Sequence, residues 1–205
     1  MILKQNKLDK ERPFLPPFSY WVNEYKLAAG EYPGNQYSFN PATTIATLAH
    51  QFVAMRRYGL RVRNFASWKI PQLLDVGFST FIDLTVHGER PVYEPILHKE
   101  RRRRGKRTDY YRFPIVDRNV PDISVMTDIL DLIDRKISDG ELIYVHCFRG
   151  LGRTGIVVAC YLIRHGMTNE EALAHIPNLR IGVAGDFRSS PETEIQRKFV
   201  LNWEG

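Results

Sequence analysis

The chain has 205 residues, 29 Lys and Arg against 23 Asp and Glu, and a formal net charge of +6. Its 43% hydrophobic and 25% charged residues are globular values, which exclude wholesale disorder, collagen-like sequence and coiled coil. Two cysteines, Cys147 and Cys160, cannot build a disulfide framework or a metal cluster and point to a reducing compartment. The longest apolar run, residues 156–163, is too short for a membrane span, and the charged start lacks the apolar core of a secretion signal, so a cytoplasmic protein is expected.

Residues 1–15 read as a flexible N-terminal tail and 16–205 as a single domain. Aromatic and apolar residues from Phe18 to Tyr32, followed by Pro33-Gly34, predict a strand pair ending in a turn. Asn40-Pro41 opens a helix with Ile45, Leu48, Ala49 and Phe52 on one face and Gly59 at its end. A second helix runs from Ile70 to Val76, and a strand from Thr80 to Val86. A basic loop follows, then a short strand from Tyr110 to Phe113. Met126, Ile129, Leu130, Ile133 and Ile137 mark a third helix ending near Gly140, and Leu142 to His146 a buried strand. Arg153 to His165 is apolar nearly all round, hence a buried helix, and Thr168 with Glu171 forms a capping box for the next one. Strands alternating with helices predict an α/β fold with a largely parallel central sheet.

The charge is concentrated. Residues 98–107 hold seven Lys and Arg against one Glu, which leaves 22 of each sign elsewhere. Arg101, Arg102, Arg103 and Arg104 could bind acidic or multiply phosphorylated ligands, or form a solvated loop. Nucleic acid is disfavoured, because no zinc-finger spacing or aromatic RNA-binding signature accompanies the run.

The informative stretch is Val145-His146-Cys147-Phe148-Arg149-Gly150-Leu151-Gly152-Arg153-Thr154-Gly155. It places a cysteine at the end of a buried strand and, after five loop residues, an arginine at the start of a buried helix. Backbone amides of Phe148, Arg149, Gly150, Leu151, Gly152 and Arg153, together with the helix start, would cradle a tetrahedral dianion. Arg153 can grip two of its oxygens with a planar fork. The same field favours the thiolate, the nucleophilic form of Cys147. Cys160, in an all-apolar helix, reads as a packing residue. The six histidines lack ligand spacing, so no metal and no cofactor is expected.

The segment HCFRGLGRTG resembles the signature loop of the cysteine-dependent protein tyrosine and dual-specificity phosphatases: His-Cys, five residues, Arg, then Ser or Thr. FPIVDRNVPD, with Asp117 30 residues before the cysteine, is similar to that family's general-acid loop. SSPETEIQRKFV is similar to the segment whose glutamine positions the hydrolytic water, here Gln196. The spelling most resembles the cyclin-dependent-kinase-associated subgroup, over roughly residues 70–203. The resemblance implies a protein tyrosine phosphatase-like fold and metal-independent hydrolysis of phosphomonoesters through a cysteinyl-phosphate. Cys147 would be the nucleophile, Arg153 the phosphate ligand, Asp117 the acid and then the base, and Thr154 the stabiliser of the departing thiolate. By the same resemblance His146 orders the loop from behind. Asp122, five residues past Asp117, is the rival acid, and its place at a helix start suits a cap.

No Asn-Arg-Tyr pocket-deepening loop is found, so the expected substrates are phosphotyrosine together with phosphoserine and phosphothreonine. Arg149 and the basic run leave open a phosphoinositide or another highly anionic small phosphomonoester. A phosphate-binding module without turnover is disfavoured, because Cys147, Arg153 and Asp117 are all present.

Overall fold

A computed structural model describes residues 13–24, 26–34, 66–183 and 185–205. The helix expected after Asn40-Pro41 lies outside them, as does most of the expected tail. At the near end of that tail the Pro13 carbonyl accepts a bond from the Trp21 indole, and Leu15 is buried.

Among the described residues five strands form one sheet in the order β1-β2-β5-β3-β4, namely β1 (Ser19–Trp21), β2 (Leu27–Glu31), β5 (Leu142–Cys147), β3 (Phe78–Asp83) and β4 (Asp109–Arg112). Of these strands β1 alone is antiparallel to its neighbour, so the sheet of the described residues is largely parallel, as expected from the alternation of elements. The β1–β2 turn is closed by the Asn23 side chain, whose Oδ1 accepts from the Lys26 and Leu27 amides at 3.0 and 2.8 Å.

The side-chain period of two divides the core. Ile143, Val145 and Cys147 of β5 join a cluster on one face, built against α3 (Ile123–Ser138) and α4 (Gly152–Arg164). Tyr144 joins Ile70, Leu73, Leu74, Phe81 and Leu97 on the other face, under α1 (Ala66–Val76) and α2 (Glu94–Arg104). From Gly152 to Leu162 every residue of α4 is buried, which explains why its sequence is apolar all round. Further along, α5 (Asn169–Leu179) carries the Thr168–Glu171 capping box, and α6 (Glu194–Leu201) carries a second one from Thr193 and Gln196.

The basic run is a correction. It is not a loop: residues through Arg104 form the second half of α2, which has Pro95 in its first turn and stops at Gly105 with φ +62°. Arginine is a good helix former, and Glu100 offsets the like charges by pairing with Arg103 and Arg104 at 3.4 and 3.3 Å. Arg104 also pairs with Asp75, at the end of α1 and just before β3 begins. The arginines therefore lie beside the N-terminal ends of the parallel strands. The loops that follow the C-terminal ends of β3, β4 and β5 are at the opposite edge, where ligands bind in open α/β sheets.

Candidate active site

Three loops meet at that edge because the register brings their strands together. Asp83 pairs with His146 on one side and Arg112 on the other, and Glu31 pairs with Cys147. The segment after β3 carries Glu89, the one after β4 carries Asp117, and the one after β5 runs from Cys147 into α4. Together with Glu192 they enclose a cleft of about 310 Å³ that also includes Cys147, Phe148 and Gly152.

Arg153 is the floor of the arrangement. Its side chain is 1% exposed, so its permanent charge must be met by anions. Glu89 supplies both carboxylate oxygens at 2.7 Å, the Ile115 carbonyl accepts at 3.0 Å, and Asp117 Oδ1 accepts at 2.9 Å. Burial lowers the guanidinium pKa, but the Glu89 bonds and the nearby charges of Cys147 and Asp117 raise it further than burial lowers it. Burial likewise raises the Glu89 carboxyl, and Arg153 more than reverses this, holding it below the ordinary carboxylate range. Two buried polar atoms here have no hydrogen-bond partner among the described residues: Arg153 Nε and Thr154 Oγ1. Both atoms remain available to a ligand or a reacting group beside Cys147.

The loop itself is held tightly. At Gly150, φ is +69° and a Cβ would lie 2.4 Å from the Gly30 carbonyl carbon, so only glycine fits. Behind the loop, His146 is fully buried, with Nε2 2.6 Å from the Tyr93 hydroxyl. Burial pushes its imidazole pKa down, against the charge of Asp83, so the neutral ring is favoured. The Tyr32 amide donates to the Phe148 carbonyl, and Ser190 Oγ donates to the Leu151 carbonyl.

Among the residues expected from sequence, Cys147, Asp117, Phe148, Arg149 and Gly152 line the cleft, while Arg153 and Thr154 are buried, Arg153 bonded to the lining residues Glu89 and Asp117. Asp122 occupies the N-cap position of α3, exposed and without a side-chain cap bond, and it does not line the cleft. Gln196, expected to position water, does not line the cleft, although its side-chain amide lies against Gly152 of the loop. It is fully buried; its Oε1 accepts from the Glu192 and Thr193 amides at 3.1 Å, and its Nε2 donates to the Asn119 carbonyl at 3.2 Å. Those bonds cap α6 and tie it to the Asp117 loop. The side chain from that segment that lines the cleft is Glu192.

Comparison with known proteins agrees with this geometry. Residues 72–167 match a family described as a polymorphic toxin system DSP-PTPase phosphatase. A tyrosine-protein phosphatase CDC14 homolog from Schizosaccharomyces pombe is 32% identical over 127 residues, 56% of this chain and 21% of that protein. A phosphatidylglycerophosphate phosphatase PTPMT1 from Arabidopsis thaliana is 36% identical over 61 residues, 29% of this chain and 18% of its own length. Among solved structures, kinase associated phosphatase (KAP) superposes with a TM-score of 0.62 at 21% identity, covering 90% of this chain and 92% of that one. The chain is similar to dual-specificity and tyrosine phosphatases over this stretch and shares their fold. It spans about a fifth of the length of the two curated relatives named above.

The cleft also contains four charged groups outside the residues expected from sequence. Glu89 fixes the arginine from 64 residues away. Arg90 packs its guanidinium 3.4 Å from the centre of the Phe148 ring. Arg118 and Glu192 face each other across the mouth. A sequence signal existed for Glu89 alone: an arginine in a buried helix needs an acid, and Gly88-Glu89-Arg90 directly follows the apolar strand.

Proposed function

We propose that this chain hydrolyses phosphomonoesters, in the first place phosphotyrosine and also phosphoserine and phosphothreonine in proteins, through a cysteinyl-phosphate. The supporting observation is the buried Arg153, clamped by Glu89 beside Cys147 with its Nε unpartnered. In the first step Cys147 Sγ attacks phosphorus, while Arg153 and the amides of residues 148–153 hold the equatorial oxygens. The bond to the leaving oxygen breaks, and Asp117 gives that oxygen a proton. In the second step water attacks the phosphocysteine, Asp117 takes the water's proton, and the thiolate leaves with Thr154 Oγ1 as its hydrogen-bond donor. Gln196 acts indirectly, by holding the loop that carries Asp117. The chemistry needs no metal ion.

Hydrolysis of p-nitrophenyl phosphate with excess chelator tests this reading. Wild type should turn over and Cys147→Ser should not; activity that needs a metal or survives the serine change would refute the mechanism. A second reading, a highly anionic small phosphomonoester or phosphoinositide, is favoured by Arg90, Arg118 and Arg149 around the cleft. Phosphate release from inositol lipids but not from phosphopeptides would install it. The two free thiols suit the reducing cytoplasm, where we place the protein. Among the described residues no helix is long and apolar enough to cross a membrane.

A further inference from the structure

The helix α2 spends most of its circumference on the surface. Of its eleven residues only Leu97 and Glu100 are buried, so it stands as a ridge beside the sheet. Lys99, Arg102 and Arg103 are spaced i, i+3, i+4 and are all exposed, which places them on one face. Lys106 and Arg107, also exposed, follow directly after the Gly105 cap.

The acids that touch this segment are all engaged. Glu94 faces His98 at 3.3 Å, Glu100 pairs with Arg103 and Arg104, and Asp75 pairs with Arg104. Asp109 holds Lys136 at 2.6 Å and Arg107 at 3.3 Å, and Lys136 also pairs with Glu141 at 3.0 Å. Seven Lys and Arg between 99 and 107 thus meet four acids, Asp75, Glu94, Glu100 and Asp109. Among the described residues Lys99, Arg102 and Lys106 have no acidic partner, and Arg101 reaches only the Thr108 carbonyl, at 3.5 Å. The stretches outside the described residues cannot supply the missing acid. Residues 35–65 contain four Arg and no Asp or Glu, and residues 1–12 contain four Lys and Arg against two acids.

We propose that the exposed cationic face of α2, with Lys106 and Arg107, docks the protein on the surface of an anionic lipid bilayer. A convex ridge offers no groove for a bound chain. None of the large apolar side chains exposed among the described residues is in α2, whereas stable protein interfaces centre on such anchors. The helix contains no Phe, Tyr or Trp on which nucleic-acid bases could stack. A bilayer surface asks for neither groove nor anchor. It requires cations on one face with side chains free to adapt, and those of Arg103 and Arg107 are 74% and 78% exposed. The end of α2 lies beside the N-terminal ends of the strands and the cleft lies at the opposite edge, so docking leaves the cleft open to the solution. The docking role stands whether or not the phosphatase reading does.

Flotation of the full chain with vesicles tests the surface without reference to turnover. The protein should float with phosphatidylcholine vesicles containing phosphatidylserine, stay in solution with phosphatidylcholine alone, and be released at 1 M salt, where the screening length is about 3 Å. Each cation near an anionic surface contributes about fivefold to partitioning. The triple variant Lys99→Gln, Arg102→Gln, Lys106→Gln breaks no ion pair among the described residues and should lower partitioning on the order of 100-fold. It should keep wild-type hydrolysis of p-nitrophenyl phosphate. The triple variant Arg135→Gln, Arg197→Gln, Lys198→Gln removes the same charge elsewhere and should stay within about twofold of wild type. Cys147→Ser should float like wild type, so loss of activity and loss of docking are read separately. Equal losses in the two triple variants would reduce the effect to net charge and overturn the proposal. Equal partitioning to neutral and anionic vesicles would overturn it too, as would tighter binding to duplex RNA or to polyglutamate than to the anionic vesicles at equal charge concentration.

Discussion

Arg153 shows how much a single buried charge can dictate. A guanidinium with 1% exposure cannot neutralise, so its partners are part of the site whether or not they touch substrate. Glu89→Gln keeps the shape but removes the charge and one bidentate arm. We expect kcat for p-nitrophenyl phosphate to fall on the order of 10²-fold through misplacement of Arg153, with stability down by roughly 3 kcal/mol. Steady-state kinetics beside urea unfolding would check both, and unchanged kcat would show that the carboxylate does not position the arginine. For Glu89 the sequence signal was indirect, the need of a buried helical arginine for an acid, because the contact itself spans 64 residues to a segment without a motif of its own. Cys147, Arg153 and Thr154 were legible because one contiguous loop imposes their spacing.

His146 carries a residue-scale prediction with a definite sign. Burial depresses its folded pKa below the ordinary value of about 6.5. The folded state therefore binds fewer protons than the unfolded one at pH values between the two. The stability this contributes is complete above about pH 6.5 and is lost as pH falls toward the folded pKa. The urea midpoint should thus drop between pH 7.5 and 5.5, and His146→Asn should flatten the profile in that window. A midpoint that rises on acidification would contradict the buried neutral imidazole.

At the scale of elements, α6 is a strut for the acid loop. Its Thr193–Gln196 capping box is a local motif, visible in the sequence as Thr-x-x-Gln, yet the family resemblance drew attention to the glutamine as a water ligand instead. The two duties can be separated. Gln196→Ala removes an acceptor for two amides and a donor to Asn119, and should cost about 2 kcal/mol as well as lowering kcat. Gln196→Glu keeps the capping acceptor but cannot donate to the Asn119 carbonyl. It should recover most of the stability and little of the activity, with the deficit largest for alkyl phosphates, whose departure depends most on Asp117. Full recovery of kcat by the glutamate would reduce Gln196 to a cap. The strands and α3, α4 and α5 were legible for a simpler reason: each buries a stripe or face of regular period, as Met126, Ile129, Leu130 and Ile133 show. The helix α2 was not, since only Leu97 and Glu100 are buried in it and four successive arginines conceal that pattern.

Over the whole molecule, the distribution of charge matters more than its total. The excess of +6 resides in residues 98–107, yet the topology places Arg101 to Arg104 at the N-terminal edge of the sheet, with Arg104 anchored to Asp75. Cys147, Asp117 and Glu89 gather at the opposite edge, about 20 Å away along a six-residue strand. At physiological ionic strength the screening length is about 8 Å, so the run contributes little to the field felt in the cleft. Arg90, Arg118 and Arg149 lie closer, lining the cleft one or two residues from Glu89, Asp117 or Cys147. The double variant Arg102→Gln, Arg103→Gln removes two charges without touching the Arg104–Asp75 pair. Its ratio of kcat/KM for doubly over singly phosphorylated peptide should equal that of wild type in 150 mM salt. At low salt, where the screening length grows to about 30 Å near 10 mM, the double variant should fall modestly below wild type for both peptides alike. A selective loss on the doubly phosphorylated peptide at 150 mM would instead return the basic helix to the substrate-binding surface, and would require the peptide to reach around the sheet edge to meet it.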